Sequence, residues 1–186
     1  GDVRLEFPGH AAAQDYRREL DLEGAVARTG YRVGDVRFER ETIASHPDQA
    51  IITRLRADRR GQLSFVVSLD SPHTNSSVMV VGANELVLSG RALASYESRR
   101  ISNPLKFAAQ LLVRIEGGQC EAVGDRIKVT NANSAELILV AATSFKNFQD
   151  VTGDPTAACQ RAMTALRSKT WSKLRAAHVE DYQHLF

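Results

Sequence analysis

The sequence lacks most of the features that mark specialised classes of protein. Only two of the 186 residues are cysteines, Cys120 and Cys159, too few for a disulfide-dense scaffold or a four-cysteine zinc site. Aromatic residues make up 6% of the chain and do not alternate with the arginines, and the formal charge is only +2, so we expect no nucleic-acid partner. No stretch reaches the roughly 18 apolar residues of a membrane-spanning helix, and no signal peptide is visible. We therefore expect no membrane partner either.

The composition that remains is that of a globular domain. Apolar residues make up 43% and charged residues 25% of the chain, close to the averages for folded proteins. A chain of 186 residues is long enough for one domain with its own core. The sequence opens at Gly1 on a strand-like pattern rather than on methionine or a targeting segment. We therefore expect it to be an internal piece of a longer gene product.

Most of the chain alternates apolar and polar residues with a period of two, which is typical of half-buried β-strands. Leu63, Phe65, Val67 and Leu69 follow this pattern without interruption. Ile43 falls out of phase with the strand residues before it, which predicts a β-bulge. About ten short strands without β-α-β alternation predict a mostly β, antiparallel sandwich or barrel. The more irregular stretch 91–104 is predicted to be a loop.

The pattern changes near the carboxyl end of the chain. Asp154 followed by Pro155 is a common helix start, and helical spacing continues through residue 166. A second helix is predicted to carry an apolar stripe of Trp171, Leu174, His178 and Tyr182. Because no stop signal precedes the last residue, we expect an exposed apolar patch near Trp171 and Phe186.

No complete set of catalytic residues can be read from the sequence. It contains no nucleophile elbow, no phosphate-binding loop and no dinucleotide-binding motif. The five histidines show no metal-binding spacing, and His178 is interpreted as a packing residue because it lies on the apolar stripe. Cys159 is interpreted as a buried structural thiol. Glu39 and Glu41 are interpreted as part of a solvated, salt-bridged strand face.

One polar loop, residues 70–77, is a candidate binding site. Asp70, His73 and Asn75 are side chains that can exchange hydrogen bonds with a sugar, and they are our candidate substrate-binding residues. The alternative is that this segment is only a solvated connection, because loops are polar by default. We assign no catalytic residue and no metal ligand.

Several sequence blocks resemble glycoside hydrolase family 95, the α-L-fucosidases and related α-L-galactosidases. The blocks follow the family order and are residues 16–22 (YRRELDL) with 25–26, residues 40–41 and 45–49 (RE, SHPDQ), residues 142–147 (ATSFKN), and residues 178–186 (HVEDYQHLF). Each block alone is weak evidence. Together they span nearly the whole chain, so the resemblance is specific.

The resemblance implies a domain organisation. Residues 1–152 are expected to form the family's N-terminal β-sandwich, truncated at its start and built as a supersandwich. Residues 153–186 are expected to form the helical linker toward a catalytic (α/α)6 barrel that this chain does not contain. The resemblance implies inverting hydrolysis of α-L-fucosyl linkages by the intact enzyme. It implies no cofactor, a fucosylated oligosaccharide as substrate, and a periplasmic or extracellular location.

Three functions remain open at this point. The chain is first interpreted as a scaffold that packs on the missing barrel and is inactive alone. The second possibility is a stand-alone carbohydrate-binding module, although Trp171, the only tryptophan, is assigned to the helical stripe rather than to a stacking platform. The third is a structural domain that associates with itself through exposed strand edges.

Overall fold

A computed structural model describes residues 1–92 and 105–185 of the chain. The predicted loop 91–104 therefore lies mostly outside the described residues. The strands are β1 Asp2–Glu6, β2 Gln14–Asp21, β3 Val26–Val33, β4 Val36–Ser45, β5 Ala50–Ala57, β6 Leu63–Asp70, β7 Ser76–Val81, β8 Glu85–Arg91, β9 Lys106–Glu116, β10 Gln119–Val123, β11 Arg126–Ala132 and β12 Ser134–Thr143. A 3-10 helix at His10–Ala12 precedes β2, and two α-helices, α1 Pro155–Leu166 and α2 Trp171–Gln183, follow β12.

The strands form two antiparallel sheets that pack face to face. The large sheet has the order β2-β3-β4-β5-β12-β9-β8-β7, and the small sheet has the order β1-β6-β11-β10. Neighbouring strands in both sheets run antiparallel. The predicted mostly β, antiparallel sandwich with helices near its carboxyl end is confirmed.

The main core lies between the sheets. The strand β6 alternates buried and half-buried residues along its whole length, as its sequence predicts. Its Phe65 and Val67 pack with Leu111 and Leu137 of the large sheet in one buried cluster. The burial of such side chains contributes roughly 1.5–3 kcal/mol each, which makes this layer the main source of stability.

The helices cover the outer face of the large sheet and create a second core. Asp154 caps α1 by accepting a hydrogen bond from the Ala157 backbone N–H at 3.0 Å, and Pro155 occupies the first turn, as predicted. Cys159 is buried against the sheet in this core, with its thiol 3.4 Å from the Ala108 carbonyl. Its assignment as a structural thiol is confirmed, and both cysteines are free.

The second helix also packs on the sheet, which corrects one expectation. Thr170 caps α2 by accepting a hydrogen bond from the Lys173 N–H, and Leu174 and His178 are buried as the stripe predicts. Trp171 is only 5% exposed, so the expected apolar patch at this residue is wrong. The indole is covered by the strands beneath it, with the Arg54 guanidinium 5.8 Å from its ring centre. Phe186, the other residue of that patch, lies outside the described residues.

The predicted bulge at Ile43 is also wrong. The strand β4 pairs with β3 and β5 in unbroken register. Phe38 enters the core between the sheets, whereas Ile43 enters the core beneath the helices. Because β4 is covered on both faces, apolar residues occupy both phases of the alternation without any bulge.

One part of the large sheet extends beyond the small sheet. The small sheet has four strands and the large sheet has eight, and β6 contacts β5 and β8 of the large sheet. One row of paired residues crosses the large sheet as Leu20, Ala27, Thr42, Thr53 and Leu137. Leu137 is buried between the sheets, but Leu20 is 61% exposed. We call this uncovered surface on the inner side of β2–β5 the overhang face; its members include Tyr16, Arg18, Leu20, Ala27, Ala44 and Ile51.

Candidate functional site

A polar groove lies where the β7–β8 edge of the large sheet meets the start of α1. Its volume is about 650 Å³, within the range of small-ligand sites. The groove is lined by Asn75, Ser77, Ser89, Gly90, Arg91, Lys106, Phe107, Thr152, Gly153, Asp154, Pro155 and Thr156. Hydroxyl, amide and cationic groups dominate this lining. Asp154, the acid among the described lining residues, is already engaged as the cap of α1.

The groove depends on the absence of a side chain at position 90. Gly90 lies opposite Phe107 on β9 and Ser76 on β7. A Cβ atom at Gly90 would lie 2.5 Å from the Phe107 ring, 2.8 Å from the Ser76 Cβ atom and 2.9 Å from the Asn75 carbonyl oxygen. Because real Cβ atoms do not approach other atoms so closely, only glycine at position 90 allows the Phe107 ring to pack against β8.

The structure separates the three predicted binding residues. Asn75 lines the groove, and its carbonyl accepts a hydrogen bond from the Arg91 N–H at 3.1 Å. The imidazole of His73 lies 5.4 Å from the Phe107 ring, centre to centre, so it supports the aromatic side of the groove. Asp70 does not line the groove, because its carboxylate is bound to Arg4 on β1 at 2.6 Å.

The surroundings of Asp70 also fix its charge. The Arg4 guanidinium donates two hydrogen bonds to it, and the Ser71 backbone N–H donates another at 2.7 Å. These contacts hold the pKa of Asp70 below its usual range. Asp70 is therefore a fixed anion that anchors β1 at the start of the loop.

A tightly bonded loop, residues 144–153, reaches the groove through Thr152 and Gly153 at its carboxyl end. Its base is fastened to β9, because Lys106 and Ser144 exchange two hydrogen bonds of 2.9 Å. Asp150 accepts hydrogen bonds from the Thr152 hydroxyl and N–H and from the Lys146 ammonium, which lower the pKa of Asp150 to about 2. The loop presents two aromatic side chains, Phe145 and Phe148, which are 57% and 86% exposed.

A second depression lies on the outer side of β2–β5. It has a volume of about 680 Å³ and is lined largely by arginine and glutamate side chains. Arg28 lies 3.2 Å from Glu41, and Arg56 lies 3.2 Å from Glu39. These side chains alternate in sign from strand to strand, so most of the charge is neutralised within the sheet. The interpretation of Glu39 and Glu41 as a salt-bridged face is confirmed.

Within the described residues, no carboxyl group with a shifted pKa resembles a general acid. A glycosidase acid needs a raised pKa, whereas Asp21, Asp70 and Asp150 have pKa values that are lowered by hydrogen bonds. The thiols of Cys120 and Cys159 have pKa values raised by burial, opposite to the shift that activates a nucleophile.

The prediction that His178 is a packing residue is confirmed by its burial. His178 is 5% exposed, and its Nε2 lies 3.1 Å from the Ala25 carbonyl oxygen, so it is a packing residue. Among residues 1–92 and 105–185, no group of three His, Cys, Asp or Glu side chains is placed to hold a metal ion. No helix in the same residues is long and apolar enough to cross a membrane.

Comparison with known proteins identifies the family. The model of the glycosyl hydrolase family 65 N-terminal domain matches residues 1–148. The chain belongs to this family of glycosyl hydrolase N-terminal domains. A solved structure, a putative kojibiose phosphorylase from human microbiome, superposes on 98% of the chain and 27% of its own length with a TM-score of 0.58. At 11% identity, this likeness concerns the fold alone.

Curated relatives of this N-terminal domain are fucosidases. Alpha-L-fucosidase 2 from Arabidopsis thaliana is 36% identical over 100% of the chain, which covers 25% of that protein. Probable alpha-fucosidase A from Aspergillus niger is 27% identical over 92% of the chain, which covers 22% of that protein. The predicted resemblance to α-L-fucosidases is confirmed. The chain thus spans about a quarter of the length of these relatives.

Sequence reasoning missed Phe107, Lys106 and the segment 152–156. Phe107 begins a strand, and only the register of β8 with β9 places it against Gly90 and the polar loop. The sequence did carry one usable signal, the two phenylalanines Phe145 and Phe148 within the polar stretch that precedes Asp154. Aromatic residues in such a stretch are costly to leave in water without a partner.

Proposed function

We propose that this chain is the N-terminal sandwich portion of a glycoside hydrolase that in longer form hydrolyses α-L-fucosyl, or related α-L-galactosyl, linkages. The supporting observation is the 36% identity to Alpha-L-fucosidase 2 along the full length of the chain. In that longer enzyme the reaction inverts the anomeric centre. A carboxylic acid protonates the leaving oxygen while a water positioned by an asparagine attacks the opposite face of the sugar.

The sandwich acts as a scaffold and does not supply this carboxylic acid. Two of its own acids with lowered pKa values, Asp21 and Asp70, are bound to arginines, so they remain ionised and cannot donate a proton near neutral pH. The catalytic carboxyl group and the asparagine that assists the water belong to an (α/α)6 barrel downstream in the same polypeptide. No cofactor or metal is needed for this chemistry, and the resemblance to the fucosidase family favours a periplasmic or extracellular location.

The overhang face is the surface on which the catalytic barrel docks. Tyr16, Leu20 and Ile51 are 61%, 61% and 46% exposed on this face. The strand β2 is an edge of the large sheet and seven of its eight residues are exposed. A long exposed edge with apolar side chains is prone to aggregate unless another element covers it.

Charge and chain direction both favour this face. The acids of β2–β4 project to the outer side with Arg28, where they form ion pairs, whereas the inner side carries Arg18 and Arg40 beside the apolar residues. The helix α2 ends beside the β2–β3 turn, where the Gln183 side chain reaches the Glu23 carbonyl at 3.4 Å. Polypeptide that follows α2 therefore begins beside the β2–β3 turn, at the end of two of the strands that carry the overhang face.

The activity is tested with an α-1,2-fucosylated oligosaccharide. We expect the chain extended through its downstream region to release fucose and the 186-residue chain alone to release none. Turnover by the chain alone would overturn the scaffold assignment. Absence of turnover by both would leave the fold assignment in place and remove the fucosidase proposal.

Docking is tested by Leu20→Asp in the longer polypeptide, with a protease site introduced after α2. We expect the cleaved wild type to elute as one particle and the variant to separate, because a carboxylate replaces a buried contact. Met79→Asp is the matched control, since Met79 is 63% exposed on the opposite edge strand. The docking proposal would be contradicted if both variants separated or if neither did. It would also be contradicted if the wild-type sandwich associated with itself through β2.

The predicted binding residues Asp70, His73 and Asn75 are tested together in the longer enzyme. If they contact substrate, the triple alanine variant should lower kcat/KM by about tenfold or more, equivalent to about 1.4 kcal/mol of transition-state binding. Arg4→Ala removes the Asp70 ion pair without touching the groove and serves as the control. An unchanged kcat/KM in the triple variant would show that the loop is only a connection.

A further inference from the structure

We infer that the loop 144–153 and the groove beside it form a saccharide-binding subsite, in which Phe145 and Phe148 are stacking platforms. This inference rests on the proposed function, since it assigns part of the substrate to this domain. It goes beyond the scaffold role, because it gives the sandwich a direct contact with the glycan. The ligand class is an oligosaccharide carrying a deoxyhexose, whose ring and methyl carbons present an apolar face.

The exposure of the two rings is the first argument. Phe148 is 86% exposed and Phe145 is 57% exposed, whereas Phe38 and Phe65 are buried at 5% and 1%. A phenyl ring has no polar atom that benefits from water. Aromatic side chains held in solvent are typical of surfaces that bind a ligand or partner.

The rigidity of the loop is the second argument. Asn147 and Asp150 exchange two backbone hydrogen bonds of 3.1 and 3.2 Å, and the Asn147 side chain accepts from the Gln149 and Asp150 N–H groups. The Gly153 N–H donates to the Ser144 carbonyl at 2.9 Å and closes the loop at its base. A loop whose polar groups are occupied internally holds its apolar side chains in place before binding, so little entropy is lost when a ligand arrives.

The composition of the groove is the third argument. Ser144 is hydrogen-bonded to Lys106, which lines the groove, so the aromatic loop emerges directly from the groove wall. The lining supplies the Asn75 amide and the Ser77 and Thr156 hydroxyls, in addition to cationic donors. Such groups donate to and accept from sugar hydroxyls, while aromatic rings stack on the apolar face of a sugar ring.

The same features argue against a protein segment as the occupant of this site. A docking helix or strand requires an apolar groove or a row of free backbone groups. Here the groove walls are polar. The Phe107 ring occupies the space above Gly90, so no side chain of a partner can insert there. A polar groove wall that continues into a loop with two exposed aromatic rings matches a polyhydroxylated ligand better.

The test compares Phe148 variants in the longer enzyme acting on a fucosylated oligosaccharide. We expect Phe148→Ala to raise KM by about tenfold with little change in kcat, because stacking on the ring would stabilise the bound substrate and the transition state equally. Phe148→Tyr should retain the wild-type KM because it keeps the ring, and Phe148→Leu should behave like the alanine variant. Leu22→Ala is the control, because Leu22 is an exposed apolar residue beside the β2–β3 turn (72% exposed).

A second measurement keeps this inference separate from the proposed function. In the 186-residue chain, titration with the same oligosaccharide should shift the amide NMR signals of residues 145–150 and of Asn75. These shifts without fucose release by the longer enzyme would support the subsite and remove the fucosidase proposal. Fucose release with an unchanged KM in Phe148→Ala, or full retention by Phe148→Leu, would overturn the subsite.

Discussion

The turn between β4 and β5 is joined to the connection between the two helices by one buried ion pair. The Lys169 ammonium lies 2.6 Å from the Asp48 carboxylate, whose side chain is 1% exposed. Ser45, itself buried, donates a second hydrogen bond to that carboxylate at 2.7 Å. Lys169→Met should therefore leave a buried anion with a single remaining protein donor.

The expected loss can be bounded from this geometry. Removing one partner of a fully buried ion pair costs about 3–5 kcal/mol. The side chain of Lys169 is 43% exposed, so water replaces part of what is lost and we expect about 1–3 kcal/mol. For a chain of this size, that corresponds to a decrease in Tm of roughly 2–12 °C.

The measurement is thermal and urea unfolding of the wild type and three variants. Lys128→Met is the matched control, because Lys128 forms an exposed pair with Glu121 at 3.1 Å, worth about 0.2–1 kcal/mol. The double variant Asp48→Asn with Lys169→Met removes both charges and should recover much of the loss. If Lys169→Met costs no more than Lys128→Met, the buried pair does not hold the helices on the sheet.

Two further predictions concern backbone strain and acid stability. Gly118→Ala should destabilise the protein clearly more than Gly124→Ala in urea unfolding. Both glycines have positive φ, but a Cβ atom at Gly118 would clash with the Thr130 carbonyl oxygen, whereas one at Gly124 would meet no neighbouring atom. Equal losses of about 1–2 kcal/mol would mean that the neighbouring strand yields. Asp150 should titrate near pH 2 by carboxyl NMR. Because the pKa of Asp150 is lower in the folded than in the unfolded protein, the contribution of its charge to stability is complete above about pH 4 and is lost as the pH falls toward 2. Removing the Thr152 hydroxyl should raise that midpoint; an unchanged midpoint would refute the assigned cause.

Local sequence patterns correctly predicted the strands and helices that bury only one face. The strict alternation from Leu63 to Leu69 placed β6 with one face in the core, and the Asp154-Pro155 pair placed the start of α1. The stripe of Leu174 and His178 placed the buried side of α2. In each case one face of one element meets one surface, so the sequence period carries the information.

Long-range pairing could not be read in the same way. Ile43 suggested a bulge only because the helices that cover its face lie more than a hundred residues away, from Pro155 onward. Asp70 looked like a free polar ligand because Arg4, its partner, is 66 residues away in sequence. Phe107 joined the groove through strand register, which no local pattern encodes.

The contacts between the last helix and the first hairpin of the large sheet bear on how the protein folds during synthesis. His178 meets the Ala25 carbonyl across 153 residues, and Gln183 meets the Glu23 carbonyl across 160 residues. At about 5–20 residues per second, the ribosome needs roughly 8–30 seconds to make the intervening chain. For that interval the β2–β3 hairpin has emerged while its helical support does not yet exist. The hairpin that presents the uncovered edge is thus the part of the nascent chain with the longest need of protection from neighbouring polypeptides.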